Sequence, residues 1–144
     1  MRVYLDNCCY NRPFDDQSQP KIALETAAKL LVQAQMRSGT IEYAWSDELD
    51  GEVKDSPFRD KRKRILPWRD AAAVRIAITS EIVRRGREFM LLGVKTADAL
   101  HLACAEAADC DWFLTVDRGI LKKIQNVGTM RVANPLTYIQ EEMQ

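Results

Sequence analysis

The sequence is poor in the residues that build soft-metal sites and disulfide frameworks. It contains four cysteines and one histidine in 144 residues. Cys8 and Cys9 are adjacent, and Cys104 and Cys110 lie far along the chain. None of them forms the C-x-x-C spacing that is typical of zinc or redox sites. These absences argue against a zinc centre and predict that the cysteines are small apolar side chains in a reducing compartment.

Long hydrophobic runs are absent as well. No apolar stretch approaches the roughly 20 residues that a membrane-spanning helix needs. The first residues enter a strand pattern at once and show no signal-peptide core. The composition is 47% hydrophobic and 29% charged, which is ordinary for a globular protein. We therefore expect a cytoplasmic protein without membrane association, folded as a single domain over residues 1–144.

The formal net charge is zero, but the charges are unevenly distributed. Acids dominate residues 40–53, and bases dominate residues 54–75, with a second basic group at residues 84–87. The densest basic run is Lys61, Arg62, Lys63 and Arg64. Such a run can form a polyanion-binding face, and a solvated helical surface explains it equally well.

Strand-like and helix-like patterns alternate along the chain. Strands are predicted at residues 2–6, 40–45, 112–116 and 129–133. Helices are predicted at residues 21–38, 47–54, 57–66, 68–85, 96–108 and 118–124, with a loop at residues 7–20. The first of these helices carries an apolar stripe that is expected to face the core: Leu24, Ala27, Ala28, Leu31 and Ala34. The alternation predicts an α/β domain with a parallel sheet.

Three acids are predicted at the carboxyl edge of this sheet, where open parallel sheets bind their ligands. Asp6 closes the first strand and Asp117 closes the strand at residues 112–116, while Asp98 opens the helix that precedes that strand. Asp98 and Asp117 are also ordinary residues for a helix start. Asp6 follows a buried strand, where a carboxylate needs a hydrogen-bonding or metal partner. Together the three favour a ligand site.

A fourth acid is expected from the acidic segment that follows Trp45. On a helix of 3.6 residues per turn, Glu52 falls nearer the apolar stripe that begins at Trp45 than Glu48 does. Glu52 is therefore the expected fourth acid, and Glu48 stays open as the alternative. Asp47 and Asp50 are expected to face solvent or to cap the helix.

These residues, in this order, resemble the PIN-domain nucleases, and in particular the bacterial VapC-like ribonucleases. The motifs that carry the resemblance are V-Y-L-D-N ending at Asn7, Ser46 followed by Glu52, D-A-L-H-L-A beginning at Asp98, L-T-V-D ending at Asp117, and the N-R-P-F-D-D segment beginning at Asn11. They extend over nearly the whole chain. The resemblance implies a PIN-like three-layer sandwich, with a mostly parallel central sheet flanked by helices.

The resemblance also implies a site and its ligands. The expected catalytic and metal-binding set is Asp6, Glu52, Asp98 and Asp117. The expected supporting residues are Thr115, Ser46 and Asn7. An oxygen-only ligand set indicates Mg²⁺ or Mn²⁺, one or two ions, with a metal-bound water as the nucleophile. The basic run at residues 61–64 would contact an RNA substrate, and further expected partners are an antitoxin protein and a second copy of the chain.

The predicted function is thus a Mg²⁺- or Mn²⁺-dependent endoribonuclease, the toxin of a type II toxin–antitoxin pair. The alternative is a PIN-like nucleic-acid-binding or regulatory module with little or no nuclease activity. That alternative arises because Arg118 and Gly119 stand where many relatives have a further aspartate. His101, one helical turn after Asp98, is interpreted as a packed and hydrogen-bonded residue and not as a catalytic base.

Overall fold

A mostly parallel β-sheet forms the centre of the protein. The computed structural model describes residues 1–143, and within them the strands are β1 (Arg2–Leu5), β2 (Glu42–Ser46), β3 (Val74–Ile76), β4 (Trp112–Leu114), β5 (Asn126–Val127) and β6 (Met130–Ala133). Their order across the sheet is β3-β2-β1-β4-β6-β5. Neighbouring strands run parallel, apart from the antiparallel pair β5–β6.

Helices pack around this sheet. They are α1 (Asn7–Asn11), α2 (Pro20–Ser38), α3 (Asp47–Lys54), α4 (Arg59–Ile65), α5 (Pro67–Asp70), α6 (Ser80–Leu91), α7 (Thr96–Ala107), α8 (Arg118–Leu121) and α9 (Pro135–Glu142). Helix α2 packs against α9, and α6 packs against α7. The predicted α/β sandwich is confirmed.

The strand order reverses next to β1. From β1 the chain moves outward to β2 and β3, and β4 then returns to the other side of β1. The strands β1 and β4 are buried almost throughout, as expected for parallel strands covered on both faces. Ligand sites of open α/β sheets lie at such a reversal, beyond the carboxyl ends of the strands. Asp6 and Thr115 are the residues that leave β1 and β4 at this point.

The helix predicted over residues 68–85 is wrong. The segment instead holds the short helix α5, the edge strand β3 and the start of α6. Val74 and Ile76 are β-branched, and β3 pairs with β2 in the register Ala44↔Val74. A separate cap begins α6, because the Thr79 hydroxyl accepts a hydrogen bond from the amide of Ile82 at 3.3 Å.

The loop predicted at residues 7–20 is also wrong in its first half. Asp6 caps α1 by accepting a hydrogen bond from the amide of Asn7, and a 3₁₀ turn at Arg12–Phe14 follows. Cys9 and Tyr10 are buried on α1. The burial of these two side chains and the Asp6 cap stabilise a short helix that the local sequence pattern does not predict.

Helix α2 turns most of its apolar stripe outward, opposite to the prediction, and of the five stripe residues only Ala28 is buried. Leu24 and Leu31 are 57% and 46% exposed, whereas Glu25 and Lys29 are buried. The inward face also buries Val32 and Met36, and the ion pair between Glu25 and Arg12, at 2.8 Å, compensates the buried charge on that face. The leucines therefore face away from the core.

The structure shows the state of the four cysteines and the apolar content of the helices. The cysteines are free thiols; Cys9, Cys104 and Cys110 are buried and Cys8 is partly buried, so the predicted apolar packing largely holds. Among residues 1–143, no helix combines the length and the apolar composition that crossing a bilayer requires.

A candidate metal centre at the carboxyl edge of the sheet

Asp6 lies at the centre of the predicted edge. Its carboxylate is almost fully buried, with the residue 4% exposed. Oδ1 accepts a hydrogen bond from the amide of Asn7 at 2.8 Å, and Oδ2 accepts one from Thr115 Oγ1 at 2.8 Å. The register Leu5↔Leu114 between β1 and β4 brings Asp6 and Thr115 together. The buried carboxylate thus has the hydrogen bonds that its position demands.

Thr115 also connects Asp6 to Asp117. The amide of Asp117 donates to Thr115 Oγ1 at 3.1 Å, so one buried hydroxyl contacts both acidic residues. Asp117 Oδ1 accepts from the amides of Gly119 and Ile120, at 2.7 and 3.4 Å, and caps α8. A Cβ at residue 119 would lie 2.9 Å from that oxygen, so the glycine leaves room for the cap. Among the described residues the cap uses only Oδ1, which leaves Oδ2 for a ligand.

Asp98 lies in the first turn of α7 and faces the other acids. Burial, followed by repulsion from Asp6 and Asp117, raises the pKa of Asp98 to about 6; Glu52 adds to this effect and the nearby His101 opposes it. A carboxylate senses several like charges only at close range, where they disfavour its ionised form. Asp6, Asp117 and Glu52 thus all act on the pKa of Asp98.

Glu52 reaches the site from α3 through a hydrogen bond to His101. Its Oε1 lies 2.5 Å from His101 Nε2, and the same nitrogen lies 3.8 Å from Asp6 Oδ1. His101 is 1% exposed. Burial alone would lower the pKa of His101, but the hydrogen bond to Glu52 and the charge of Asp6 outweigh it, so the pKa is raised. His101 is packed and hydrogen-bonded, as its sequence position suggested, and it contacts the site directly.

Ser46 and Tyr4 hold the other side of His101. The Tyr4 hydroxyl lies 2.6 Å from His101 Nδ1 and 2.6 Å from Ser46 Oγ. Ser46 Oγ also accepts from the amide of Leu49 at 3.1 Å and caps α3, the helix that carries Glu52. Ser46 is fully buried, so its support of the site runs through the helix cap and Tyr4. The role of Tyr4 has no signal in the sequence beyond its place in a buried strand.

Replacing Tyr4 with phenylalanine tests this buried chain of hydrogen bonds. The ring still stacks on Phe113, but His101 Nδ1 and Ser46 Oγ each lose a partner. We expect Tyr4→Phe to lower the free energy of unfolding by about 1–3 kcal/mol and to shift the imidazole NMR signals of His101. Tyr138→Phe, which removes a hydroxyl bonded to Gln35, is the control. Unchanged His101 signals in Tyr4→Phe would contradict the chain.

Glu48 remains close to this site but contacts it differently from Glu52. Ligand atoms of Glu48, Glu52 and His101 all lie within 4.8 Å of one another. Burial, together with repulsion from Glu52, raises the pKa of Glu48, and the nearby His101 opposes the rise. Asp98 senses the charge of Glu52, and the largest influences on its pKa do not include Glu48. Glu52 therefore acts on the pKa of Asp98 and stays the predicted fourth acid, with Glu48 next to it.

Asp50 differs from its prediction. It is 6% exposed and neither faces solvent nor caps α3. Its carboxylate pairs with Lys54 at 2.7 Å and with Arg69 at 3.2 Å, and it accepts a hydrogen bond from Trp45 Nε1 at 3.3 Å. Asp50 is therefore a structural anchor between α3 and α5. Lys54 lies one helical turn away on α3, whereas Arg69 comes from another helix and cannot be found on a helix wheel of α3.

Cys8 is a neighbour of the acids that sequence reasoning missed. Its Sγ lies 3.4 Å from Asp6 Oδ2 and 3.3 Å from Thr115 Oγ1, and it accepts a hydrogen bond from the amide of Val116. Contact with Cys9, followed by burial and the charge of Asp6, raises the pKa of Cys8 well above its usual range. A neutral thiol therefore packs beside Asp6. Its only sequence signal is its place two residues after the acid.

The four basic residues at positions 61–64 of α4 do not all border the same cleft. Lys61 and Arg62 line a cleft of about 160 Å³ together with Asn7 and Glu52. Asn7 Oδ1 accepts a hydrogen bond from Asn11 at 3.0 Å, which fixes the wall of this cleft. Lys63 and Arg64 do not line it; each borders a different cleft. The structure therefore brings half of the predicted basic run next to the acids.

The second basic group, at residues 84–87, is largely neutralised by neighbouring acids. Arg84 pairs with Glu81 at 2.8 Å, and Arg85 pairs with Glu106 at 2.7 Å. Both arginines also contact Glu88. These charges have partners within the fold, so they are poor candidates for phosphate contacts.

The fold is a mostly parallel α/β sheet with carboxylates beyond the strand ends where the strand order reverses. The family model described as "PIN domain" matches residues 3–126, which is most of the chain. The protein therefore belongs to the PIN domain family. A comparison with curated proteins finds no match to this sequence.

Two solved structures are similar in fold. A chain in the crystal structure of FitAcB from Neisseria gonorrhoeae superposes with a TM-score of 0.61 at 14% identity, over 93% of this chain and 98% of that one. A chain in the crystal structure of VapBC2 from Rickettsia felis, bound to a DNA fragment from their promoter, superposes with a TM-score of 0.59 at 12% identity, over the same shares. At these identities the similarity shows a shared fold.

Proposed function

We propose that this PIN-domain protein is a Mg²⁺- or Mn²⁺-dependent endoribonuclease and the toxin of a type II toxin–antitoxin pair. The observation that carries the proposal is the convergence of acids from separate elements on Asp98. Asp6 after β1, Asp117 after β4 and Glu52 on α3 all act on its pKa. Carboxylates that raise the pKa of a neighbour in this way favour a compensating cation.

The donor groups fit a hard cation. Both ring nitrogens of His101 are engaged, Nε2 with Glu52 and Nδ1 with Tyr4. The neighbouring thiol of Cys8 is held neutral by its raised pKa. Carboxylate oxygens are therefore the ligands on offer, and oxygen ligands suit Mg²⁺ and Mn²⁺ better than zinc. Asp6, Glu52, Asp98 and Asp117 would hold the ion or ions.

Different residues of the chain would have different roles in phosphodiester hydrolysis. A bound ion would supply a water of lowered pKa and would offset the negative charge that develops on the phosphate. Thr115 orients Asp6 through the hydrogen bond to Oδ2. His101 orients Glu52 and, through its contact with Tyr4, ties the site to the cap of α3. Lys61 and Arg62 would hold the RNA backbone beside Glu52.

Calorimetry with Mn²⁺ tests the metal site directly. The wild-type protein is expected to bind Mn²⁺ saturably, and Asp6→Asn is expected to weaken binding by about 100-fold or more, because it removes a central oxygen ligand. Asp55→Asn removes an exposed acid just beyond α3 and should bind like the wild type. Equal binding by wild type and Asp6→Asn would refute the site.

The proposed RNA contact predicts a charge effect at two positions. Lys61→Ala and Arg62→Ala should each weaken RNA binding and reduce the slope of log affinity against log salt by about 0.7 to 1, because each removes one phosphate contact. Arg84→Ala, whose side chain is already paired with acids, is the matched control and should change neither quantity. Titrations at several salt concentrations measure both. Equal effects of all three substitutions would contradict a specific contact beside Glu52.

The toxin role rests on the VapC-like motifs and on the shared fold with chains of FitAcB and VapBC2. An antitoxin protein is the proposed partner, the cytoplasm the proposed location, and a homodimer a further prediction that light scattering can check. Expression in a bacterial host should arrest growth, and co-expression of the neighbouring gene should relieve the arrest. If Asp98→Asn arrested growth as strongly as the wild type, the toxicity would not depend on this site.

A non-catalytic module remains the competing proposal, and one observation favours it. The position of Gly119, where relatives have an acid, has no room for a side chain next to Asp117 Oδ1. RNA binding without turnover, unaffected by Asp98→Asn, would establish that alternative.

A further inference from the structure

A second cleft, of about 330 Å³, lies between α2 and the segment α4–α5. Its size is within the range of small-molecule sites. The polar and aromatic side chains that matter for its chemistry are Tyr10, Lys29, Gln33, Arg37, Arg64 and Trp68. Asp6, Glu52, Asp98 and Asp117 do not line it, so it is distinct from the acidic site.

Two of these side chains carry a buried polar atom without a partner, and a third is a largely buried lysine without an ion pair. The Tyr10 hydroxyl and Gln33 Nε2 have no hydrogen bond within residues 1–143, and the two residues are 1% and 5% exposed. Lys29 is 4% exposed and forms neither a hydrogen bond nor an ion pair with any other described residue. Buried polar groups are nearly always satisfied, and an unsatisfied one costs about 1–3 kcal/mol. Two such atoms at one cleft, next to an unpaired lysine, indicate a missing ligand.

The charge of the cleft indicates the sign of that ligand. Lys29, Arg37 and Arg64 line it, and its lining includes no acid from the part of the chain that the structure describes. Arg37 lies over the Trp68 ring, 5.1 Å from its centroid. Burial, opposed by Cys9 but reinforced by the charge of Arg37, lowers the pKa of Lys29 to about 8, which leaves it mostly cationic at neutral pH. A largely buried lysine beside two exposed arginines, with no acid in the lining, favours an anion.

We propose that this cleft is a second binding site, which takes a small organic phosphate. Lysine and arginine carry only donors, and Gln33 Nε2 and the Tyr10 hydroxyl add two more. An acceptor-only oxyanion satisfies such a set with charge-assisted hydrogen bonds. The rings of Phe14 and Trp68 supply apolar walls for the organic part. The phosphate contacts Lys29 and Arg64, and the site does not depend on the proposed nuclease activity.

Calorimetric titration with adenosine monophosphate, inorganic phosphate and adenosine tests this site. EDTA is present throughout, so that no metal at the acidic cluster can hold the phosphate. Lys29→Met keeps the length of the side chain and removes its charge. Lys63→Met removes an exposed cation of α4 that does not line the cleft and serves as the control.

Wild type and Lys63→Met are expected to bind the monophosphate saturably, with inorganic phosphate weaker and adenosine weaker still. Lys29→Met should lose at least about tenfold in affinity. It should also melt at a higher temperature than the wild type without ligand, because the unpaired buried charge is gone. Absence of saturable binding to the wild type, equal binding by Lys29→Met, or an equal loss in Lys63→Met would each overturn the proposal.

Discussion

Replacing Asp98 with asparagine is expected to abolish RNA cleavage and, at the same time, to stabilise the metal-free protein. Asp98 faces Asp6, Asp117 and Glu52, and burial together with these charges raises its pKa to about 6. At neutral pH the metal-free fold therefore holds an ionised carboxylate against its neighbours. The neutral amide removes this repulsion but is a weaker ligand for a hard cation. Activity should fall by about 100-fold or more.

The stability part of this prediction has a defined dependence on pH. The folded-state pKa of Asp98 lies above its ordinary value of 3.8, so its contribution to stability is full at low pH and is lost as pH rises towards about 6. In EDTA, Asp98→Asn should gain about 1–2 kcal/mol over the wild type at pH 7, a value reduced for partial solvent exposure, and almost nothing at pH 4. Urea unfolding at both pH values measures the difference. A variant equally or less stable at pH 7 would contradict the repulsion.

Replacing Arg12 with methionine is expected to destabilise the whole fold. Arg12 Nη2 pairs at 2.8 Å with Glu25, whose carboxylate is fully buried. Glu25 also accepts a hydrogen bond of 2.5 Å from Asn134, which caps α9. Without Arg12 the buried carboxylate keeps only this neutral partner. Breaking a buried ion pair from one side costs about 3–5 kcal/mol, which is a large part of the stability of a domain of this size.

The double variant Arg12→Met/Glu25→Leu is the control for this prediction. It removes both charges, so it should recover most of the stability that Arg12→Met loses. Thermal or urea unfolding of the wild type, both single variants and the double variant completes the cycle. Losses that simply add in the double variant would contradict a coupled pair. The N-R-P-F-D-D segment would then need another structural explanation.

The acidic edge could be predicted from the sequence because its signals are local. Asp6 and Asp117 each end a short apolar strand pattern, and Asp98 opens an amphipathic helix. Parallel strands bring such ends to one edge whatever the details of packing. The alternation of strand and helix patterns predicted the mostly parallel sheet in the same way, and the structure confirms it. Sequence periodicity is enough to predict an element when its own side chains determine which of its faces is buried.

The inverted orientation of α2 could not be predicted in this way. Its apolar stripe has the right spacing for a core face, yet Leu24 and Leu31 are exposed. The buried side carries Val32 and Met36 together with Glu25, whose partners Arg12 and Asn134 come from elsewhere in the chain. A helix wheel contains no information about such partners. The position of Lys29 and Gln33 at the second cleft could not be predicted for the same reason, because the other residues of the cleft come from other elements.

The missed strand β3 has a comparable origin. The apolar residues near it fit a helical repeat, and only pairing with β2 distinguishes the two structures. An edge strand of three residues is too short to be told from a helical repeat by its own residues, even when two of them are β-branched. Asp50 illustrates the matching problem for charges, because its partner Arg69 lies in the segment that was predicted as a long helix.

Cleavage of single-stranded RNA with and without Mn²⁺ is the most direct test of the proposed metal-dependent nuclease. We expect the wild-type protein to cleave RNA in Mn²⁺ and to lose the activity in EDTA, with recovery when Mn²⁺ is restored. Asp6→Asn should be inactive under both conditions, whereas Asp55→Asn should behave like the wild type. Cleavage that persists in EDTA, or that Asp6→Asn retains in Mn²⁺, would contradict a metal centre built on the acids at the ends of β1 and β4.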